Sequence, residues 1–147
     1  MESKGIDQPV IIRLQSSIRH PGQDEETHEL ETLGRYIEKS NTSYLKYDEV
    51  ANDQEIRTTV KMGNAEALIM RSGAVDMRLP FIADGERPGA YGNGPANFKL
   101  IVKTNRLELT EREDVLGGRF GVAYELHAEG ALLGTYELII TYTEGTK

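Results

Sequence analysis

The chain has 147 residues, no cysteine and a formal net charge of −7. This length suits one domain of residues 1–147 with a hydrophobic core, and the lack of cysteine excludes a disulfide framework. Binding to nucleic acid or to an anionic membrane is disfavoured because it requires clustered Lys and Arg. The N-terminus lacks an apolar signal core, and no apolar run reaches the length of a membrane helix, so we expect a cytoplasmic protein.

Apolar and polar residues alternate along most of the chain, as in strands that have one dry face and one wet face. The alternating segments, in chain order, are 10–18, 56–62, 77–81, 98–102, 120–126 and 136–142. Residues 44–47 also favour a strand. About eight to ten strands with short turns predict an all-β fold, a single antiparallel up-and-down barrel, because closure removes exposed strand edges.

The segment 24–40 fits a helix and a strand equally well. Leu30, Leu33 and Ile37 recur at helical spacing behind a run of acidic residues. Residues 28–36 also alternate, and Gly34 costs about 1 kcal/mol inside a helix. The local pattern therefore leaves both interpretations open.

The last two alternating segments predict their own hairpin. Both apolar rows reach one face only if paired residue numbers have an even sum, as in Leu126 with Leu132 and Val122 with Tyr136. That register predicts a three-residue loop, Ala128-Glu129-Gly130, whose final glycine suits the left-handed conformation.

A change of parity interrupts the strand before this hairpin. Leu100 and Val102 have even numbers, whereas Leu107 and Leu109 have odd numbers. A strand that keeps one face buried can make this change only through a bulge or sharp bend, which we predict at residues 104–106. Such bulges bend long strands around the corner of a barrel.

Several segments resemble one bacterial family. They are Gly34-Arg35-Tyr36, Tyr44-Leu45-Lys46-Tyr47-Asp48-Glu49, Thr58-Thr59-Val60-Lys61, Ile69-Met70-Arg71-Ser72-Gly73, Met77-Arg78-Leu79-Pro80-Phe81, Gly85-Glu86, Tyr124-Glu125-Leu126 and Leu138-Ile139-Ile140-Thr141-Tyr142-Thr143-Glu144. On these residues, over nearly the whole chain, the protein resembles the YwiB-like proteins, which are of unknown function. The resemblance implies a calycin-like, lipocalin-related barrel and a strand rather than a helix at residues 26–39. It implies no catalytic residue.

The inward parity also carries hydroxyl groups among the apolar side chains. They belong to Ser16, Thr58, Thr104, Tyr124, Tyr136 and Tyr142. A mostly apolar interior with a few polar groups is typical of a small-molecule site, with Tyr124 and Tyr136 as candidate contacts. In a filled barrel the same hydroxyls would bond to one another or to the backbone. The leading hypothesis is a non-enzymatic barrel that binds a small, partly apolar ligand without a cofactor.

Two arginines are candidate anchors for such a ligand. Arg71 and Arg78 flank the predicted turn 72–74, and an inward guanidinium could hold a carboxylate or phosphate in bidentate geometry. Arg78 has the opposite parity to Met77 and Leu79, however, which favours a solvent-facing side chain for Arg78.

The glycine-rich segment 85–95 is predicted to be a long loop. It lacks the sequence of a phosphate-binding or dinucleotide-binding loop, but long loops often contact ligands, and we take Tyr91 as a candidate contact at the barrel mouth.

No pattern favours a metal site or an enzyme. His20, His28 and His127 lack the close spacing of metal ligands. The acidic runs 24–26 and 111–114 are typical of solvated turns, and no nucleophile motif is present.

An alternative function is protein–protein interaction or homodimerisation. Ile69, Ile82 and Ile101 lie off the main apolar parity and could form a patch on the outer face.

Overall fold

The fold is a closed antiparallel barrel. A computed structural model describes residues 5–51, 53–93 and 96–145. The ten strands formed by the described residues are β1 (Ile6–Arg19), β2 (Glu26–Lys39), β3 (Thr42–Ala51), β4 (Gln54–Met62), β5 (Glu66–Gly73), β6 (Asp76–Ile82), β7 (Glu86–Asn93), β8 (Ala96–Glu111), β9 (Gly117–Ala128) and β10 (Ala131–Glu144). In the described ranges, no helix is long and apolar enough to cross a membrane.

Each strand pairs with its neighbours in the chain, and β1 pairs with β10 to close the sheet. The predicted all-β, antiparallel up-and-down barrel of eight to ten strands is therefore confirmed, with ten strands. The segment 26–39, which the local pattern left open, is strand β2. The alternation of residues 28–36, and not the helical spacing, is therefore the pattern that matches the structure. The strand is formed by pairing of β2 with β1 along almost its whole length, from Ile6–Glu38 to Ile18–Glu26.

The turn between β9 and β10 is one residue shorter than predicted. Ala128 pairs with Ala131, which leaves Glu129 and Gly130 as a two-residue turn, with φ angles of 51° and 80°. Two consecutive positive φ angles are the signature of a type I′ turn, whose twist matches that of the flanking strands. The left-handed conformation predicted for Gly130 is confirmed, and the three-residue loop is wrong.

A bulge at Leu133 restores the even sum of residue numbers beyond this turn, so both apolar rows still face inward. The observed pairs are Leu126–Gly134 and Val122–Leu138, and the predicted pairs Leu126–Leu132 and Val122–Tyr136 are wrong. The parity argument was right, but it could not distinguish an odd-length loop from a two-residue turn followed by a bulge.

The predicted bulge in β8 is confirmed. Thr104 pairs with Tyr124 while Arg106 pairs with Ala123, so Asn105 is the extra residue. Thr104 is buried on the even-numbered side of the bulge, and Leu107 packs on the core from the odd-numbered side.

The predicted loop 85–95 is wrong, because most of it is strand β7. The pairs between β7 and β8 run from Glu86–Lys103 to Asn93–Ala96, so the glycine-rich backbone obtains regular hydrogen-bond partners. Glycine suits position 89, where a Cβ atom would come within 2.8 Å of the carbonyl oxygen of Arg78. Residues 94 and 95 of the predicted loop lie outside the described residues.

The ladder between β2 and β3 is short. It runs from Lys39–Thr42 to Arg35–Lys46, and the two strands separate beyond that pair. Gly34 lies at the point of separation, where a Cβ atom would come within 2.6 Å of the carbonyl oxygen of Lys46. The wall of the barrel therefore has a gap between residues 26–34 and 47–51.

The interior has two halves, which we name by their ends. The closed half adjoins the turns at 40–41, 63–65, 83–85 and 112–116, and the open half adjoins the turns at 20–25, 74–75 and 129–130. Large inward side chains fill the closed half. They include Val10, Ile12, Tyr36, Leu45, Val60, Met62, Phe81, Phe120, Val122, Ile140 and Tyr142.

Ile69 does not belong to an outer patch. It is 5% exposed and packs in the core, while its neighbour Met70 is 41% exposed on the outer face. The predicted outer patch of Ile69, Ile82 and Ile101 is therefore wrong in including Ile69. Apolar residues occur on both faces of β5, so the sequence pattern does not show which parity points inward.

Candidate functional site

A cavity of about 770 Å³ occupies the open half of the barrel. This volume lies within the range of small-molecule sites, roughly 300–1,000 Å³. Most of the lining surface is apolar and comes from strands all around the barrel. Its apolar side chains include Leu14, Leu30, Leu79, Leu100, Leu126 and Leu138. Closure of the sheet thus places short segments that are distant in sequence around one apolar space.

The closed half provides the floor beneath this cavity. The hydroxyls of Tyr36 and Tyr142 each donate a hydrogen bond of 3.0 Å to Oε2 of Glu111, and the two rings stack with centroids 5.3 Å apart. Burial is the main cause that raises the pKa of both phenols, and the negative charge of Glu111 raises it further. The phenols therefore stay protonated at neutral pH and serve as donors in a packed, hydrogen-bonded end of the barrel.

Arg71 is a cationic side chain in the cavity wall. Its Nη2 donates to Oε1 of Glu49 on β3 over 3.4 Å, and the two side chains are 26% and 28% exposed. Thr58 lies directly across the ladder from Arg71. Its buried hydroxyl lies close to the phenol of Tyr47. A charged pair and a buried hydroxyl thus lie side by side in the wall of an apolar space.

Aromatic rings form another part of the wall. Tyr124 stacks on Tyr136 with centroids 5.1 Å apart and an interplanar angle of 9°, and it also contacts Phe81. Burial raises the pKa of Tyr124 and Tyr136, so both hydroxyls remain neutral donors. Tyr91 stacks on Phe98, and both rings line the cavity. The rings offer flat apolar surfaces together with hydroxyl groups.

The comparisons with known proteins agree with this architecture. A family model described as a domain of unknown function, DUF1934, matches residues 12–140. The chain belongs to the DUF1934 family.

A relative of this DUF1934 chain is the uncharacterized β-barrel protein YwiB of Bacillus subtilis (strain 168). The two are 31% identical over 140 residues, which cover 94% of this chain and 95% of the relative. The crystal structure of ywiB protein from Bacillus subtilis matches with a TM-score of 0.83 at 30% identity, covering 95% of this chain and 94% of that one. The predicted resemblance to the YwiB-like family is therefore confirmed. The predicted β-barrel fold and the assignment to a family of unknown function are confirmed as well.

Four of the five predicted ligand contacts line the cavity of this DUF1934 barrel, namely Arg71, Tyr91, Tyr124 and Tyr136. Arg78 does not. It pairs with Met70 on the outer face and is exposed, so a role for Arg78 as an inward anchor is wrong. Strand alternation is the physical reason, because Met77 and Leu79 on either side of Arg78 point inward.

The three histidines of the DUF1934 chain each have different neighbours. Nδ1 of His20 donates to the carbonyl oxygen of Leu133, Nε2 of His127 lies 3.0 Å from Glu125, and His28 lines the cavity. Among the described residues, no three His, Asp or Glu side chains are grouped in a way that could hold a metal ion.

Sequence reasoning missed Tyr47 and Glu49, which bring a phenol and a carboxylate to the cavity. Their signal was present in the alternation of Leu45, Tyr47 and Glu49 along β3, which places all three on the inner face. A charged residue such as Glu49 gives no apolar signal of its own, and only the alternation of its neighbours indicates its inward position.

Proposed function

We propose that this protein binds a small, partly apolar molecule in the open half of its barrel and does not act on it chemically. The observation that carries the proposal is the cavity of about 770 Å³, whose mostly apolar wall includes a cluster of polar groups. Such a wall provides apolar area for affinity and a few polar contacts for orientation. Arg71, Tyr91, Tyr124 and Tyr136 are the proposed contacts.

The proposal is tested with N-phenyl-1-naphthylamine, a neutral probe whose fluorescence rises in apolar surroundings. We expect saturable binding to the wild-type protein. The variant Ser16→Phe adds a ring inside the cavity and should weaken probe binding about tenfold, which corresponds to about 1.4 kcal/mol. The matched control, Gln15→Phe, adds the same ring to the exposed neighbour and should leave binding unchanged.

Native mass spectrometry of freshly purified protein provides a second readout, in which bound small molecules appear as added mass. Absence of saturable probe binding to the wild-type protein, or equal weakening by Ser16→Phe and Gln15→Phe, would contradict the proposal.

A second candidate function is association with another copy of the chain. It is supported by the separation of β2 from β3, beside which Leu33 and Val50 are 49% and 72% exposed. Unpaired strand edges and exposed apolar side chains favour contact with another molecule. Light scattering tests this candidate, because a homodimer should dissociate on dilution and Val50→Lys should shift it to monomer. A monomer at all concentrations would contradict it.

The proposed location is the bacterial cytoplasm, where the protein would bind its ligand inside a calycin-like, lipocalin-like barrel. A cysteine-free chain supports this setting, and a net charge of −7 disfavours nucleic acid and anionic membranes as partners. Cell fractionation with an antibody against the protein tests the location, and recovery in the membrane fraction would contradict it.

A further inference from the structure

We propose that the ligand is a carboxylate with an apolar body and that Arg71 is the residue that holds its carboxylate group. This inference rests on the proposed binding function and specifies its ligand class. The body of the ligand would lie against the aliphatic and aromatic wall of the open half.

The first support is the geometry of Arg71. A guanidinium has five N–H donors, and its planar fork matches the two oxygens of a carboxylate. Here the pair with Glu49 is a single contact of 3.4 Å, longer than the usual 2.7–2.9 Å of a charge-assisted hydrogen bond. Glu49 is the hydrogen-bond partner of Arg71 among the described residues, so most of the donors of Arg71 are available to a ligand that enters the cavity.

The groups around Arg71 are also donors. The hydroxyls of Tyr47 and Tyr124 lie close enough to feel its positive charge, and burial raises the pKa of both phenols so that they keep their protons. The hydroxyl of Thr58 lies across the ladder from Arg71 and close to the phenol of Tyr47. Donors that converge on one side of an apolar cavity are complementary to an acceptor such as a carboxylate.

The position of Glu49 explains how the site could accept an anion. Glu49 lies on β3 in the segment that has separated from β2, and its side chain is 28% exposed. A ligand carboxylate can replace Glu49 on Arg71 while Glu49 turns towards water, so that no buried charge loses its counter-ion. An amine at the same place would meet the charge of Arg71, and an alcohol would leave the pair intact. One guanidinium also matches a single negative charge better than the two charges of a phosphate monoester.

The experiment compares three ligands that share one alkyl chain, namely decanoate, decan-1-ol and decylamine. Each is titrated as a competitor of N-phenyl-1-naphthylamine against the wild-type protein and the variants Arg71→Met, Glu49→Gln and Arg78→Met. Arg78→Met is the matched control, because it removes an arginine from the outer face of the adjacent strand.

Decanoate should bind wild-type protein more tightly than decan-1-ol or decylamine. Arg71→Met should weaken decanoate about tenfold or more and leave decan-1-ol unchanged, because it removes the charge-assisted bonds but keeps the apolar wall. Glu49→Gln should strengthen decanoate binding, since the competing carboxylate is gone. Arg78→Met should behave as wild type.

The double variant Arg71→Met/Glu49→Gln removes both charges of the pair and tests the ligand preference without either of them. It should bind decan-1-ol as wild type does and lose the preference for decanoate. Equal affinity of wild-type protein for decanoate and decan-1-ol, or a decanoate preference that persists in the double variant, would overturn the carboxylate inference while the binding function stands. A preference for decylamine that Glu49→Gln abolishes would also overturn it. Failure of the neutral probe to bind wild-type protein would instead remove the binding function itself.

Discussion

The two halves of the barrel are built from the same ten strands but fill their interior differently. In the closed half, inward rings such as Tyr36, Phe120 and Tyr142 are at most 1% exposed and pack in one hydrophobic core. In the open half, several inward positions hold smaller or polar side chains, including Ser16, Thr58 and Arg71. The first half is packed like an ordinary protein core, whereas the second encloses a cavity.

This difference indicates that the closed half stabilises the fold and that the open half is the part available for binding. The closed half can stabilise the closed sheet through apolar burial and through the hydrogen bonds of Tyr36 and Tyr142 to Glu111. The open half can then carry groups that a filled core would not tolerate, such as the Arg71–Glu49 pair. Three predictions test this difference between the two halves, and their expected effects on stability decrease from the first to the third.

Alkaline pH should unfold the two halves of the barrel in a single transition. Burial raises the pKa of Tyr36 and Tyr142 in the closed half and of Tyr47, Tyr124 and Tyr136 in the open half. The unfolded chain loses these protons near pH 10 while the folded chain keeps them. The free energy of unfolding should therefore be unaffected by these groups below about pH 10 and fall above it, by about 1.4 kcal/mol per pH unit for each protonated phenol.

The measurement is phenolate absorbance recorded together with circular dichroism as pH rises. Both signals should change in one transition, because ionisation of these phenols accompanies unfolding. Absorbance that rises before the dichroism changes would show that the cavity phenols ionise within the folded barrel, and it would separate the halves more sharply than proposed.

Removal of a leucine should cost more in the closed half than in the open half. Leu45→Ala leaves a hole in a packed core and should lower the free energy of unfolding by about 3 kcal/mol. Leu14→Ala enlarges a cavity that already exists and should cost about 1 kcal/mol. Urea denaturation measures both values. Equal costs would indicate that the open half is packed as tightly as the closed half.

Removal of a phenolic hydroxyl should show the same asymmetry on a smaller scale. Tyr142→Phe deletes a hydrogen bond to the carboxylate of Glu111 and should lower the free energy of unfolding by about 1 kcal/mol. Tyr136→Phe deletes a hydroxyl that lines the cavity and should change it by less than about 0.5 kcal/mol. Thermal unfolding of the two matched variants checks this prediction, which fails if Tyr136→Phe proves the more costly change.

Local patterns predicted many strand faces correctly because a side chain's direction in a strand depends only on the parity of its position. Val10 and Ile12 were placed inward in this way, and the parity change between Val102 and Leu107 predicted the bulge now seen at Asn105. Local patterns failed where both faces of a strand are apolar, as for Ile69, or where glycines conceal a strand, as in β7.

The candidate site could be predicted only in part. The sequence indicated Arg71, Tyr124 and Tyr136 as candidates, but it did not indicate that Glu49 would face Arg71. These two residues lie on β3 and β5, and their contact depends on the intervening strand β4 and on its register with both neighbours. A single-residue shift in either register would turn one side chain to the outer face.

The sequence by itself determined the class of fold, the inward and outward faces of most strands, and the need for a bulge in β8, since each follows from alternation over a few residues. Only the tertiary structure decided that the barrel closes with ten strands, that one half is filled and that the other encloses a cavity with Arg71 in its wall. Those features depend on which side chains meet across the barrel, and that follows from the number and stagger of all the strands together.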